Sequence, residues 1–243
     1  SAEIGISAES MKSPTSYAQL TKSSGAFSRI QDSTLIGDQG SSTIPISGGG
    51  QPCATPGSCC IFGTCTTSSK ITYFIDVSGS MNWVRIKGKT AMESAKQELI
   101  KSINALQNGV KLQVVAFNHY PRYAFNSGPE VLDSNTRAQV LKFVSGLRAG
   151  GGTNPWGGLW QSMTSQDVSQ IILMSDGWTS TYGSCNGRYQ KYADCYKDYN
   201  DNVRSKTAAG TVQIDTVSLG NNYCSGSGWM GELAGKNGGK CNV

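Results

Sequence analysis

The stretch Lys70-Ile71-Thr72-Tyr73-Phe74-Ile75-Asp76-Val77-Ser78-Gly79-Ser80-Met81 decides how the rest of this chain is read. Ile71 to Ile75 is a β-branched and aromatic run, the mark of a strand buried on both faces. The run stops on a carboxylate, and Asp76, Ser78 and Ser80 then offer three side-chain oxygens at alternate positions. Gly79 lets the backbone turn between them.

Downstream the pattern alternates. Ala91, Ala95, Leu99, Ile103 and Leu106 recur at spacings of three or four, predicting the buried stripe of a helix over about 88–106 that Gly109 ends. A strand is expected at 111–117, with a short antiparallel edge at 123–125 after the turn at Pro121. Ser134 is read as the N-cap of a helix reaching Leu147. A helix at 155–163 begins on Pro155, where the missing N–H costs nothing. Further strands are predicted at 168–174, 212–219 and 240–243, with helices at 198–209 and 229–236. This order implies an α/β fold with a doubly wound, mostly parallel central sheet flanked by helices.

In such a sheet, ligands sit in the crevice beyond the carboxyl ends of the strands. Two further loops leave those ends. Gly150-Gly151-Gly152-Thr153-Asn154-Pro155 offers the Thr153 hydroxyl just before a helix, and Ser175-Asp176-Gly177 puts a carboxylate directly after the apolar run 171–174. A carboxylate after a strand, a serine-rich turn and a glycine run are each common. Their joint occurrence at one sheet edge is not. All five side chains are oxygen donors, a set that suits a hard divalent cation, whereas zinc or copper favours imidazole or thiolate. Two carboxylates and three hydroxyls leave a coordination position open to water or an outside group.

These residues resemble the metal-ion-dependent adhesion site of the von Willebrand factor A domain family. The D-x-S-x-S motif stands as Asp76, Ser78 and Ser80, the family's threonine as Thr153 and its late aspartate as Asp176. The resemblance covers about 70–243, including an ending similar to the family's last helix and strand. It implies Mg²⁺, with Mn²⁺ or Ca²⁺ as alternatives, held partly through water. It also implies a partner carboxylate completing the shell.

Residues 1–69 are rich in Ser, Thr, Gly and Pro and read as a loop-rich extension, with a linker at 48–52 and a cysteine-stapled loop at 53–65. The domain is expected to occupy 70–243, with an insertion at about 178–200. The chain's 8 cysteines, Cys53, Cys59, Cys60, Cys65, Cys185, Cys195, Cys224 and Cys241, contain no C-x-x-C pair. They read as disulfides in an oxidising compartment rather than as zinc ligands. Local clustering suggests Cys185 with Cys195, Cys224 with Cys241, and the other four among themselves, although sequence alone does not fix the pairing. The expected location is extracellular or at the cell surface. No apolar run is long enough to cross a bilayer. The net charge of +5 is scattered, with no basic arm or helix, so nucleic acid is not an expected partner.

Trp83, Trp156 and Trp178 each come within two to three residues after one of the three loops. Either they pack beneath their loops or they form an aromatic rim around the cation, suited to hot-spot contacts or to stacking on sugars. Tyr182, Tyr189, Tyr192, Tyr196 and Tyr199 crowd the insertion, either as a recognition surface or as a satellite core. An enzyme is not expected. The single histidine, His119, and its neighbour Tyr120 read as turn residues, no nucleophile–base motif occurs, and both key aspartates are committed to the cation. The leading expectation is an adhesion module recognising a protein or glycan through the cation. The alternative is a structural or tip subunit of a pilus-like appendage, joined to its assembly through 1–69.

Overall fold

A computed structural model describes residues 59–66, 68–165, 167–179, 191–225 and 228–243. The expected linker at 48–52, Cys53, Cys185, Tyr182 and Tyr189 lie outside them. The described chain opens with a hairpin of β1 (Cys59–Ile61) and β2 (Thr64–Thr66), turned by Phe62 and Gly63 at positive φ and closed by the Cys60–Cys65 disulfide. Then come β3 (Lys70–Asp76), a second small hairpin of β4 (Arg85–Ile86) and β5 (Lys89–Thr90), and helix α1 (Ala91–Ala105). Next are β6 (Lys111–Phe117), β7 (Pro121–Tyr123), β8 (Glu130–Val131), α2 (Ser134–Gly146) and α3 (Trp156–Thr164). The chain finishes with β9 (Gln170–Ser175), α4 (Tyr192–Asn202), β10 (Gln213–Ser218), α5 (Trp229–Lys236) and β11 (Cys241–Asn242).

The central sheet runs β11-β10-β9-β3-β6-β7, with β8 also on β6. From β11 to β6 every pairing is parallel, and β7 and β8 add an antiparallel edge. Pro121 opens β7 at that edge, where its missing N–H breaks no ladder. Alternating residues feed two cores. Ile71, Tyr73, Ile75, Val114 and Met174 pack against α1 and α2, while Phe74, Val115, Phe117, Ile171 and Leu173 pack against α3, α4 and α5. The stacked rings of Phe74 and Phe117, 4.7 Å between centroids, anchor the second face. The chain starts this sheet in the middle, moves to β6 on one side, then returns to β9 on the other. The switch between β3 and β9 is where an open sheet leaves a crevice at its carboxyl edge.

Several local expectations need correction. Residues 85–90 form a hairpin rather than the first helical turns, because Lys87 and Gly88 both adopt positive φ. Helix α1 therefore starts one turn later, capped by a reciprocal box between Thr90 and Glu93. The cap of α2 is Asp133, not Ser134. Its Oδ1 accepts from the Thr136 N–H while the Thr136 hydroxyl accepts from the Asp133 N–H, a pairing that needs the three-residue spacing. Helix α4 occupies 192–202 instead of 198–209, so its part of the expected insertion is packed helix. Ala193, Tyr196 and Asn200 lie buried along one stripe, and the Asn200 side chain exchanges two hydrogen bonds with the Val212 backbone. The first hairpin also belongs to the packed unit ahead of Lys70, since Ile61 is fully buried in the core beside α1.

Arg204 holds the end of the sheet opposite the crevice. It is fully buried, and its guanidinium donates to the carbonyls of Gly210, Ser165 and Val168 at 2.9, 2.5 and 2.6 Å. One planar fork thus ties the turn after α3 to the turn before β10. Arg204→Ala is expected to lower unfolding stability by about 3 kcal/mol or more, because it leaves several acceptors unsatisfied. Arg204→Lys should recover only part of this. Urea unfolding of the three proteins measures both.

Candidate functional site

Asp76 is the last residue of β3, and Asp176 comes directly after β9, the neighbouring parallel strand. Register brings them close: Ile75 pairs with Met174, so Asp76 stands beside Ser175 and Asp176 one residue beyond it. Both carboxylates are fully buried, and neither takes part in an ion pair among the described residues. Asp76 Oδ1 accepts from the Ser78 N–H at 2.7 Å, and Oδ2 accepts from the Ser175 hydroxyl at 2.6 Å. The hydroxyls of Ser78 and Ser80 lie 3.0 Å apart. Asp176 Oδ1 accepts from the Trp178 N–H at 3.2 Å, but Oδ2 is buried with no hydrogen-bond partner among the described residues.

Backbone and side-chain bonds lock the three loops together. Gly79 N donates to Gly151 O at 3.0 Å and Gly150 N to Val77 O at 2.8 Å, zipping the serine loop to the glycine loop that carries Thr153. Asn118, just beyond β6, donates from its amide to Gly150 O at 2.9 Å, and its carbonyl accepts from Asn154 N at 2.7 Å. His119 Nε2 accepts from the Gly152 N–H at 3.0 Å, so the histidine braces this loop. A Cβ on Gly152 would lie 2.5 Å from the ring, which is why the position needs glycine. The Thr179 hydroxyl donates to Thr153 O at 3.5 Å, joining the second loop to the third. Beneath them, Gly177 turns at φ +85°, and its carbonyl accepts from the Trp229 indole at 2.9 Å.

Burial sets the electrostatics. Desolvation pushes the Asp76 carboxyl up to about 7; the Ser175 hydroxyl and the Ser78 N–H counter it, and the charge of Asp176 adds to it. Desolvation also raises Asp176, with the Ser80 hydroxyl and the Trp178 N–H opposing. Two buried acids without a counter-charge need a proton or a cation. The donor set fits a hard divalent ion: two carboxylates, hydroxyls, and one buried carboxylate oxygen with nothing to bind. Among the described residues no three His, Cys, Asp or Glu side chains cluster, because hydroxyls supply the rest of this group.

The structure therefore brings Asp76, Ser78, Ser80 and Asp176 into one cluster and docks the Thr153 loop against it. It divides the expected aromatic rim. Trp83 and Trp178 are exposed, at 78% and 60%. Trp156 is not on a rim: it is buried, stacked on Tyr192 at 4.0 Å between centroids and edge-on to Trp229. Tyr192 packs on it, and the Tyr196 hydroxyl donates to Trp156 O at 2.9 Å. The tyrosines of α4 thus form a satellite core with α3, because helical spacing turns 192, 196 and 199 toward one neighbour. Sequence reasoning gave no role to Ser175, whose position beside Asp176 was the available signal, nor to Asn118. Tyr120, read only as a turn residue, stands 78% exposed just beyond β6.

Outside this site, Cys224 is bonded to Cys241 and Cys195 is also disulfide-bonded. No helix among the described residues is long and apolar enough to cross a membrane.

Comparison with known proteins places the fold. A solved von Willebrand factor type A protein from Catenulispora acidiphila superposes with a TM-score of 0.53 at 22% identity, covering 73% of this chain and 39% of that one. This chain therefore spans about two fifths of that relative's length. The minor pilin PilB from Streptococcus sanguinis gives 0.44 at 16% identity, over 71% of this chain and 56% of that one. The manganese-loaded TRAP protein of Plasmodium vivax gives 0.43 at 14%, over 70% and 64%. No curated protein matches the sequence. The family model of the von Willebrand factor type A domain matches residues 69–241, and with the parallel sheet and the paired strand-end aspartates in view, the chain belongs to that family.

Proposed function

We propose that this domain is an extracellular binding module that holds a divalent cation, Mg²⁺ or else Mn²⁺ or Ca²⁺, through Asp76, Ser78, Ser80, Thr153 and Asp176. A protein or glycan partner then offers a carboxylate to the cation's open position. The observation that carries this reading is the buried, unpartnered Oδ2 of Asp176 beside a second buried acid that has no counter-charge. A cation would satisfy that oxygen and neutralise both carboxylates at once. The bound ion supplies charge and an open coordination position. Asp76 and Asp176 offset its charge, and the serine hydroxyls complete an oxygen shell. Trp83, Trp178 and Tyr120, exposed from three strand-end loops, supply the contacts that choose the partner. The role is binding rather than catalysis, since the one histidine serves as a loop brace. The disulfide-bonded cysteines support an oxidising compartment.

Mg²⁺ is expected to raise the melting temperature of EDTA-treated protein, and Asp76→Ala or Asp176→Ala should remove that gain while leaving a folded domain by circular dichroism. Partner capture on a glycan and matrix-protein panel should vanish in EDTA. Capture that survives both EDTA and Asp76→Ala would sink the cation mechanism.

The ion-free protein should also show a pH signature. The folded carboxyl of Asp76 sits above its unfolded value of 3.8, so its contribution to stability is present below pH 4 and lost as pH rises toward about 7. In EDTA, the stability of Asp76→Asn relative to the parent should rise across pH 4 to 7, and the Mg²⁺-induced gain of the parent should grow over the same window. Denaturant titrations at several pH values read both trends.

A further inference from the structure

A second polar site lies lower on the α3 face of the sheet. Along β3 this face carries Thr72, Phe74 and Asp76, and along β6 it carries Gln113, Val115 and Phe117. The apolar pairs fill the upper half, but the neighbouring residues Thr72 and Gln113 put a hydroxyl and an amide where the core would otherwise continue. A cavity of about 210 Å³ opens there, between the sheet, the last turn of α3 and the segment 123–129. Thr72 stands four residues before Asp76, about 13 Å along the strand, so the cavity is separate from the cation cluster.

The lining is uncharged, mixing apolar surface with hydroxyls and amides. Not one Lys, Arg, Asp, Glu or His contributes, and most of the side chains carry a hydroxyl or an amide. The Gln113 amide donates one N–H to Phe125 O at 2.8 Å and accepts from Val114 N and Phe125 N, which leaves one N–H unused. That pairing holds the wall at 123–129 where β7 and β8 leave a gap in the edge. Tyr123 donates to Gln161 Oε1 at 2.6 Å, and Ser162 donates to Gly158 O at 2.9 Å, so Ser162 still has lone pairs to accept with. The Thr72 hydroxyl differs from these. Its residue is 1% exposed and lines the cavity, yet the hydroxyl makes no hydrogen bond among the described residues. A hydroxyl that opens on the cavity with no protein partner is available to donate to, and accept from, whatever fills it.

From this geometry we infer that the cavity is a subsite for one neutral sugar ring, independent of the cation. Its volume equals about seven waters' share of liquid, matching a single ring and falling below the roughly 300–1,000 Å³ of drug-sized pockets. Hydroxyls and amides match a polyol's alternating donors and acceptors. The ring of Tyr123, packed against the α3-face core, offers an apolar surface to C–H groups. The absence of charge disfavours an acidic or phosphorylated ligand.

The test uses the 243-residue chain, isotope-labelled for amide NMR, in EDTA to silence the cation site. Methyl glucoside, methyl galactoside, methyl mannoside and N-acetylglucosamine are titrated to about 10 mM, covering the millimolar range expected of a single ring. At least one should shift the amides of Thr72, Gln113 and Tyr123, and glucuronate should not. Thr72→Val keeps the shape and removes the unpartnered hydroxyl. It should retain the parent's melting temperature and weaken that sugar about fivefold, the equivalent of one neutral hydrogen bond. The inference is overturned if no neutral sugar moves these amides, if Thr72→Val leaves the affinity unchanged, or if shifts require Mg²⁺. The last result would assign the sugar to the cation site instead.

Discussion

Two carboxylates buried side by side, with no positive charge to meet them, are the constraint around which this domain is arranged. Asp76 and Asp176 end adjacent parallel strands at the switch of the sheet, where both are fully excluded from solvent. A protein interior tolerates such a pair only with a proton or a cation between them. The surrounding hydrogen bonds hold the acids in place without neutralising them. The Ser175 hydroxyl and the Ser78 N–H occupy Asp76, while one oxygen of Asp176 is left open. That oxygen is the atom the proposed cation would meet.

The rest of the scaffold keeps this arrangement from relaxing. Loops of Gly, Ser and Asn would be free to spread apart, but Gly79–Gly151, Gly150–Val77 and Asn118–Gly150 bonds close them into one unit. Glycine is required where the backbone passes against a ring, as at Gly152 beside His119. At the other end of the strands, buried Arg204 satisfies three carbonyls and fixes the turns. The two faces of the sheet differ in kind. The face toward α1 and α2 is mainly apolar, with Tyr73 hydrogen-bonded to Ser102, whereas the face toward α3 combines an aromatic upper half with the cavity at Thr72 and Gln113.

The aromatic residues show how little composition says about role. Trp83, Trp156 and Trp178 hold equivalent places in their loops, yet two stand in solvent and one is sandwiched beneath α4 and α5. Their different fates come from the elements that pack over each loop. Trp156 opens α3 and is covered by Tyr192 of α4, an element whose helical stripe was hidden in a tyrosine-rich segment that read equally well as surface. The same packing holds Tyr192 partly buried against the Trp156 ring.

The sequence by itself determined the strand–helix alternation, the parallel sheet and the positions of the strand-end oxygens. Each of these rests on local pattern: a period of two or 3.6, or a run that stops on a carboxylate. Helix bounds failed where a cap competed with a turn, as at Lys87-Gly88 and Asp133. Only the tertiary structure decided that Ile75 lies level with Met174, and hence that Asp76 and Asp176 share one buried site. It alone left Asp176 Oδ2 without a partner among the described residues, sent Trp156 inward and gave Ser175 its place. Burial and hydrogen-bond satisfaction depend on residues distant in the chain, and no local spacing encodes them.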